Sequence, residues 1–183
     1  MEHLTDAVRA AVREENWYGA LVLALTLPDI CGALEQPEER NGPRYMRWCS
    51  RFLSPIYTQE IGHPPQRTVF LNANDAWKLR NAIVHDGSAQ LRADEVKDVL
   101  HRVSFASAGP HRGRVNVNGR DHLVLVVADF CNDMIRAVDE WRETVAENEA
   151  VQIRISGLLE IHTSSYTIDG VVRIGVQPNP RQA

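Results

Sequence analysis

The chain has 183 residues, 44% of them hydrophobic and 24% charged, with a formal net charge of −4. That is the size of one domain with enough apolar surface for a real core, which excludes disorder as the default reading. The acidic balance also argues against a protein that coats nucleic acid non-specifically, because phosphate neutralisation supplies most of that affinity; any RNA contact must be local or transient.

In chain order, Met1-Glu2-His3-Leu4-Thr5-Asp6 is charged and lacks the apolar run of a signal peptide. Leu4, Val8, Ala11 and Val12 recur at helical spacing, and a denser apolar run goes from Trp17 through Leu21 and Leu25 towards Ile30 and Leu34. Pro28 predicts that this second helix kinks or restarts there. The longest apolar stretch, Ala20 to Leu27, falls short of the roughly 20 residues that cross a bilayer. The expectation is a soluble, cytoplasmic chain with no membrane partner. Cys31, Cys49 and Cys131 are widely spaced with no CxxC pair, and are read as core thiols of a reducing compartment.

After a loop at Gln36 to Pro43, Tyr45, Trp48, Cys49 and Phe52 form the apolar stripe of a short helix. Arg44, Arg47 and Arg51 lie on another face, read as solvated rather than as an RNA track. A second loop runs through Gly62-His63-Pro64-Pro65. Asn72 or Asn74 then caps a helix of about three turns that ends at His85-Asp86-Gly87, with Gly87 as its stop. A further helix is expected over Arg92 to Arg102. Val103 to Ala106 reads as a strand, Asn118-Gly119 as a hairpin turn after Val115-Asn116-Val117, and Leu123 to Val127 as the return strand. A long amphipathic helix follows from about Ala128 to Ala146, and the tail alternates over Leu158 to Ile161 and Val171 to Val176 around a turn at Asp169-Gly170. The expected fold class is mainly α: a bundle of four to five helices (about 3–102 and 128–146) with β-hairpins added at about 103–127 and 158–176, in one domain. Trp17, Trp48, Trp77 and Trp141 each sit in an apolar periodic run and are read as core or dimer-interface residues.

The stretch richest in chemistry is Arg80-Asn81-Ala82-Ile83-Val84-His85. On a helix Asn81 and His85 stack four apart, with Arg80 beside Asn81. A permanent cation, an amide and an imidazole that titrates near neutrality suit attack of a ribose 2′-hydroxyl on the neighbouring phosphodiester. His85 would move the proton, Arg80 would stabilise charge on the five-coordinate phosphorus, and Asn81 would orient one of them. No cluster of ligand residues at metal spacing accompanies them, so no metal or cofactor is implied. The bland alternative is that Arg80 pairs with a surface acid while His85 caps a helix C-terminus. Asp29 could project from the proline-containing helix to orient Arg80 or His85, although an exposed acid in the turn after Pro28 is the simpler reading; Glu35 is similar. Asp86 reads as a helix-end residue. Arg112, Arg114 and Arg120 could give an RNA contact along a basic hairpin edge, or be a solvated turn.

Arg80, the polar Asn81 after it, three more residues and His85 resemble the RX4–6H signature of the HEPN superfamily of helical-bundle ribonucleases. The resemblance implies catalytic roles for Arg80, Asn81 and His85, RNA as substrate, and a homodimer whose two motifs face one composite cleft. It also implies a toxin or defence setting, with an antitoxin or defence-system protein as partner, while some HEPN-like bundles are non-catalytic interaction or nucleotide-binding modules. Where family toxins silenced by a nucleotidyltransferase carry a tyrosine two residues after the histidine, this chain has Gly87, which removes support for that mode of control.

Overall fold

The most apolar stretch of the chain becomes its central helix. In the computed structural model, residues 1–85, 103–162, 164–168 and 170–175 are described, with the backbone alone at His85, Arg120 and Asp121. Helix α1 (Glu2–Arg13) turns back at Glu15, whose left-handed φ of 54° reverses the chain. Asn16 then caps α2 (Trp17–Glu35), its side chain accepting from the Gly19 amide at 3.1 Å. A Cβ on Gly19 would meet that cap at 2.7 Å, so the small residue is what lets the cap close.

Pro28 neither ends nor restarts α2, which runs unbroken through it. A proline removes one backbone hydrogen bond and disturbs the turn before it. Here the Tyr45 hydroxyl donates to the Leu25 carbonyl at 3.2 Å, and Thr26 Oγ1 donates to the Leu23 carbonyl at 2.8 Å. Pro28 leaves the Ala24 carbonyl without its i+4 amide, and the Tyr45 hydroxyl ties down the next carbonyl along the helix. Tyr45→Phe is therefore expected to lower stability by about 1 kcal/mol, read as a shift in the urea midpoint with unchanged slope. Helix α2 has the length and composition of a membrane span, yet nine of its residues are buried, packed against α1 and the helices at Asn41–Trp48 and Val127–Thr144. Its apolar character extends well beyond Ala20 to Leu27, and packing inside the bundle accounts for it.

Helix α3 (Asn41–Trp48) passes into a π-wound turn (Cys49–Leu53), closed by the Ser54 amide on the Cys49 carbonyl at 2.8 Å. The wider winding lets Tyr45, Trp48, Cys49, Phe52 and Leu53 all reach the core. The loop expected at Gly62-His63-Pro64-Pro65 is a turn, and it joins two unexpected strands, β1 (Thr58–Ile61) and β2 (Gln66–Val69), in an exposed antiparallel hairpin. Its strands are too short and polar to show alternation. Helix α4 (Ala73–Arg80) starts at Asn72, whose side chain accepts from the Asp75 amide at 2.9 Å.

Strands β3 (Val103–Ala106), β4 (Gly113–Val117) and β5 (Arg120–Val126) form one sheet in the order β3-β5-β4. The Asn118-Gly119 turn between β4 and β5 has φ of 53° and 78°, the left-handed pair that a two-residue hairpin requires. β3 lies parallel to β5, a pairing no local signal announces. β5 begins at Arg120, earlier than the return strand expected from Leu123. It leads directly into α5 (Val127–Thr144), which packs on α2 and α1. An unexpected helix, α6 (Glu149–Ser156), follows, capped by Asn148. Leu158 to Ile161 is not a strand, and the chain ends its described part in a small hairpin, β6 (Tyr166–Ile168) and β7 (Val172–Ile174). The architecture is mainly α, with six α-helices and three small sheets among the described residues. The helix expected over Arg92 to Arg102, the stop at Gly87, and Asp86, Asp169 and Val176 lie outside the described residues.

Cys31, Cys49 and Cys131 are free and buried, and burial pushes the Cys131 thiol up to about 12. They are inert core thiols, as their apolar neighbours suggest.

Candidate functional site

The three-turn helix expected to carry the motif is shorter as an α-helix than its sequence suggests. α4 stops at Arg80, and Asn81–His85 is π-wound. In α winding, residues five apart sit about 140° apart around the axis. With i→i+5 winding they come round to the same side. The positions of Arg80 and His85 are thereby brought onto one face, which spacing on a regular helix does not achieve.

Arg80 is only 7% exposed. Its Nε donates to Asp29 Oδ2 at 2.7 Å and its Nη1 to Asn81 Oδ1 at 3.1 Å, while its guanidinium carbon lies 5.3 Å from the Trp77 ring centroid. Trp77 in turn packs on Tyr45, with centroids 5.3 Å apart, and lies where a Cβ on Gly42 would meet it at 3.3 Å. The guanidinium is thus held between an indole and a carboxylate. Asp29, 51 residues away in sequence, is no exposed acid: its side chain is 16% exposed, and its Oδ1 is buried without a partner among the described residues. Arg80 therefore pairs with an acid of the central helix rather than of the surface. The hydrogen bond to Asn81 fixes that amide with its oxygen towards the arginine.

The other candidate residues are placed differently. Glu35, also read as an exposed acid, accepts from Trp141 Nε1 at 3.0 Å and from Arg51 at 2.6 Å, joining α2, α5 and the π turn after α3. Arg47 pairs with Glu39, and Arg44 donates to the Glu39 carbonyl at 3.1 Å with its stem laid over Gly32. All three arginines take part in intramolecular pairs on this solvated face.

Of the expected basic hairpin edge, one arginine turns towards α5. Arg112 donates to Asp133 Oδ2 at 2.7 Å and lies 5.0 Å from the Tyr57 ring centroid, in a left-handed backbone with φ of 58°. That pairing ties it inward to α5. Arg114 lies over the Phe70 ring at 5.0 Å, and the Arg120 side chain is outside the described residues.

Asp133 is the residue that sequence patterning passes over. His111 accepts from the Val126 amide through Nδ1 at 3.2 Å, so its Nε2 carries the proton and donates to Asp133 Oδ2 at 3.1 Å. Arg136 adds a third donor at 3.1 Å on Oδ1. Burial alone would raise the Asp133 pKa; donors from Arg112 and His111 outweigh it and hold the carboxyl below its ordinary value. Burial, then the nearby Asp133 charge, pushes the Tyr57 phenol up, so it stays protonated. This cluster fastens the sheet to α5, and its groups are committed to one another. A surface cavity of about 810 Å³ lined by Met1, His3, Asp139, Arg142 and Gln152 does not touch the motif.

The candidate site is thus Arg80, Asn81 and Asp29 at the start of the π turn, with His85 at its end. No family model matches the chain, and no curated protein or solved structure is detectably similar to it.

Proposed function

We propose that this protein is a metal-independent endoribonuclease of HEPN type, working as a homodimer with a composite active site, in a toxin or defence role. The observation that supports it most is the setting of Arg80. Two of its nitrogens are oriented by Asp29 and Asn81, and Nη2 makes no hydrogen bond among the described residues. A guanidinium fixed in this way meets a phosphoryl oxygen without first losing rotamer freedom. The π winding from Asn81 to His85 brings the imidazole-bearing position to the same side.

In the reaction, the ribose O2′ forms a bond to phosphorus and the bond from phosphorus to O5′ breaks. The proton leaves O2′ to a base and reaches O5′ from an acid, both within the reach of His85 or its copy in the second chain. Arg80 offsets the negative charge on the pentacoordinate phosphorus. The product is a 2′,3′-cyclic phosphate and a free 5′-hydroxyl. RNA is expected to be cut in the presence of EDTA by the wild-type chain and not by His85→Ala, with melting temperatures within about 2 °C of each other. Equal cleavage by both proteins sinks the assignment of His85.

One observation favours a second reading. Arg80 is nearly buried and its charge is matched by Asp29, as in a structural ion pair of a non-catalytic HEPN-like interaction or RNA-binding module. Wild-type protein that binds RNA, or one protein partner, yet never cuts supports that alternative.

A further inference from the structure

Past α6 the chain carries apolar side chains that nothing among the described residues covers. Leu159, Ile161 and Val171 are 85%, 83% and 84% exposed. In the terminal hairpin, Ile168 pairs with Val172 and Tyr166 with Ile174, while Thr167 pairs with Arg173. Alternation therefore sorts the hairpin into one apolar and one polar face. A lone two-stranded hairpin is marginal in water, so an uncovered apolar face on it needs a partner. Together Leu159, Ile161, Ile168, Val171 and Val172 expose on the order of 600 Å², about three quarters of the ~800 Å² that one partner contributes to a standard stable interface.

The same molecule has an unfilled apolar cleft. Trp17, Tyr18 and Leu21 of α2 enclose, with Phe105 and Val127, a cavity of about 210 Å³. That is below the ~300–1,000 Å³ usual for a small-molecule pocket and suits a socket for aliphatic side chains. Tyr18 stands at its mouth, 85% exposed. The arm and the cleft lie at opposite ends of one helix. α6, from which the arm springs, is fastened to the C-terminal end of α2 by Arg154 Nε on the Leu34 carbonyl at 2.6 Å. The cleft is at the N-terminal end, some 28 Å away for 19 residues of helix. None of the arm's described residues lines the chain's own cleft, whereas a second copy related by a two-fold axis across α2 brings each arm to the other's cleft. The described lining of the cleft carries no charged side chain, while Glu160, His162 and Arg173 flank the apolar residues of the arm, an apolar centre with a polar rim as at a homodimer interface.

We infer that the arm beyond Gly157 clasps a second copy of this chain by seating its apolar residues in the cleft around Trp17, Tyr18 and Phe105. The inference shares with the ribonuclease reading only the second copy, and association alone tests it. In analytical ultracentrifugation the full-length wild type is expected to dimerise, and full-length Ile161→Asp/Val172→Asp is expected to dissociate at least about tenfold more readily with an unchanged melting temperature. Mixing Tyr18→Cys chains with Ile161→Cys chains is expected to give a disulfide-linked heterodimer on mild oxidation, since the three native thiols are buried. A wild type that stays monomeric at about 100 μM overturns the inference. So does a dimer that the arm substitutions leave as tight, or a mixture that gives no cross-link. RNA cleavage by such an arm-independent dimer leaves the ribonuclease reading standing; arm-dependent dimers that cut no RNA do the reverse.

Discussion

Arg80→Ala is expected to reduce RNA cleavage by about 100-fold or more and also to lower the melting temperature by about 6–12 °C. The second effect follows from Asp29. Removing the arginine strands a carboxylate that is 16% exposed and already has one unpartnered oxygen. Breaking one side of a buried pair costs about 3 kcal/mol, whatever the pair's own net contribution. Loss of activity in this variant alone therefore does not separate catalysis from folding. A cycle does. Asp29→Ala/Arg80→Ala is expected to melt above the sum of its two single variants, because it leaves no stranded charge, yet to remain unable to cut RNA. Arg80→Lys keeps the charge but cannot bridge Asp29 and Asn81 with one planar fork, so it is expected to melt close to wild type and still cut poorly. If Arg80→Lys cuts as fast as wild type, forked recognition of the phosphate is wrong. If the wild type cuts nothing while the cycle shows strong coupling, the pair is structural.

The helices that show themselves in sequence are those with a sustained apolar period, α1, α2, α3 with its π turn, and α5, of which only α2 has a side-chain cap. The Asn118-Gly119 hairpin is equally plain, because only a few residues tolerate its left-handed backbone. What sequence hides has physical reasons. α6 has eight residues whose apolar positions Val151, Ile153 and Ile155 alternate like a strand, and its helical state comes from packing on α2 and the Asn148 cap. The parallel pairing of β3 with β5 is a long-range choice with no local marker. At the candidate site, Arg80, Asn81 and His85 were legible as a string, and Asn72 as the cap below them. The π winding was not, since it depends on tertiary packing. Asp29 was legible only as a possibility, because the fold supplies its meeting with Arg80 across 51 residues.

Asp133→Ala is expected to be the most destabilising single change away from the motif, by about 3–4 kcal/mol or some 6–16 °C in melting temperature. Asp133 is 8% exposed and receives Arg112, His111 and Arg136. Without it, Arg112 keeps its strained left-handed backbone with no compensating bond, and its Nε is already buried without a partner. His111 loses the acceptor for Nε2, while its Nδ1 still holds the Val126 amide just before α5. The damage is thus expected to spread along β4 and β5, read as faster amide exchange at Val115 and Val124 than at Leu25. The pH dependence follows from the sign of the Asp133 shift. Its folded pKa is held below the ordinary value, so its stabilisation is complete above about pH 4 and is lost as the pH falls further. Asp133→Asn cannot lose what it lacks. The melting temperature of the wild type is expected to fall more steeply than that of Asp133→Asn between about pH 4 and pH 2. Parallel acid limbs in the two proteins would mean that the carboxylate is not the charge on which the sheet is fastened to α5.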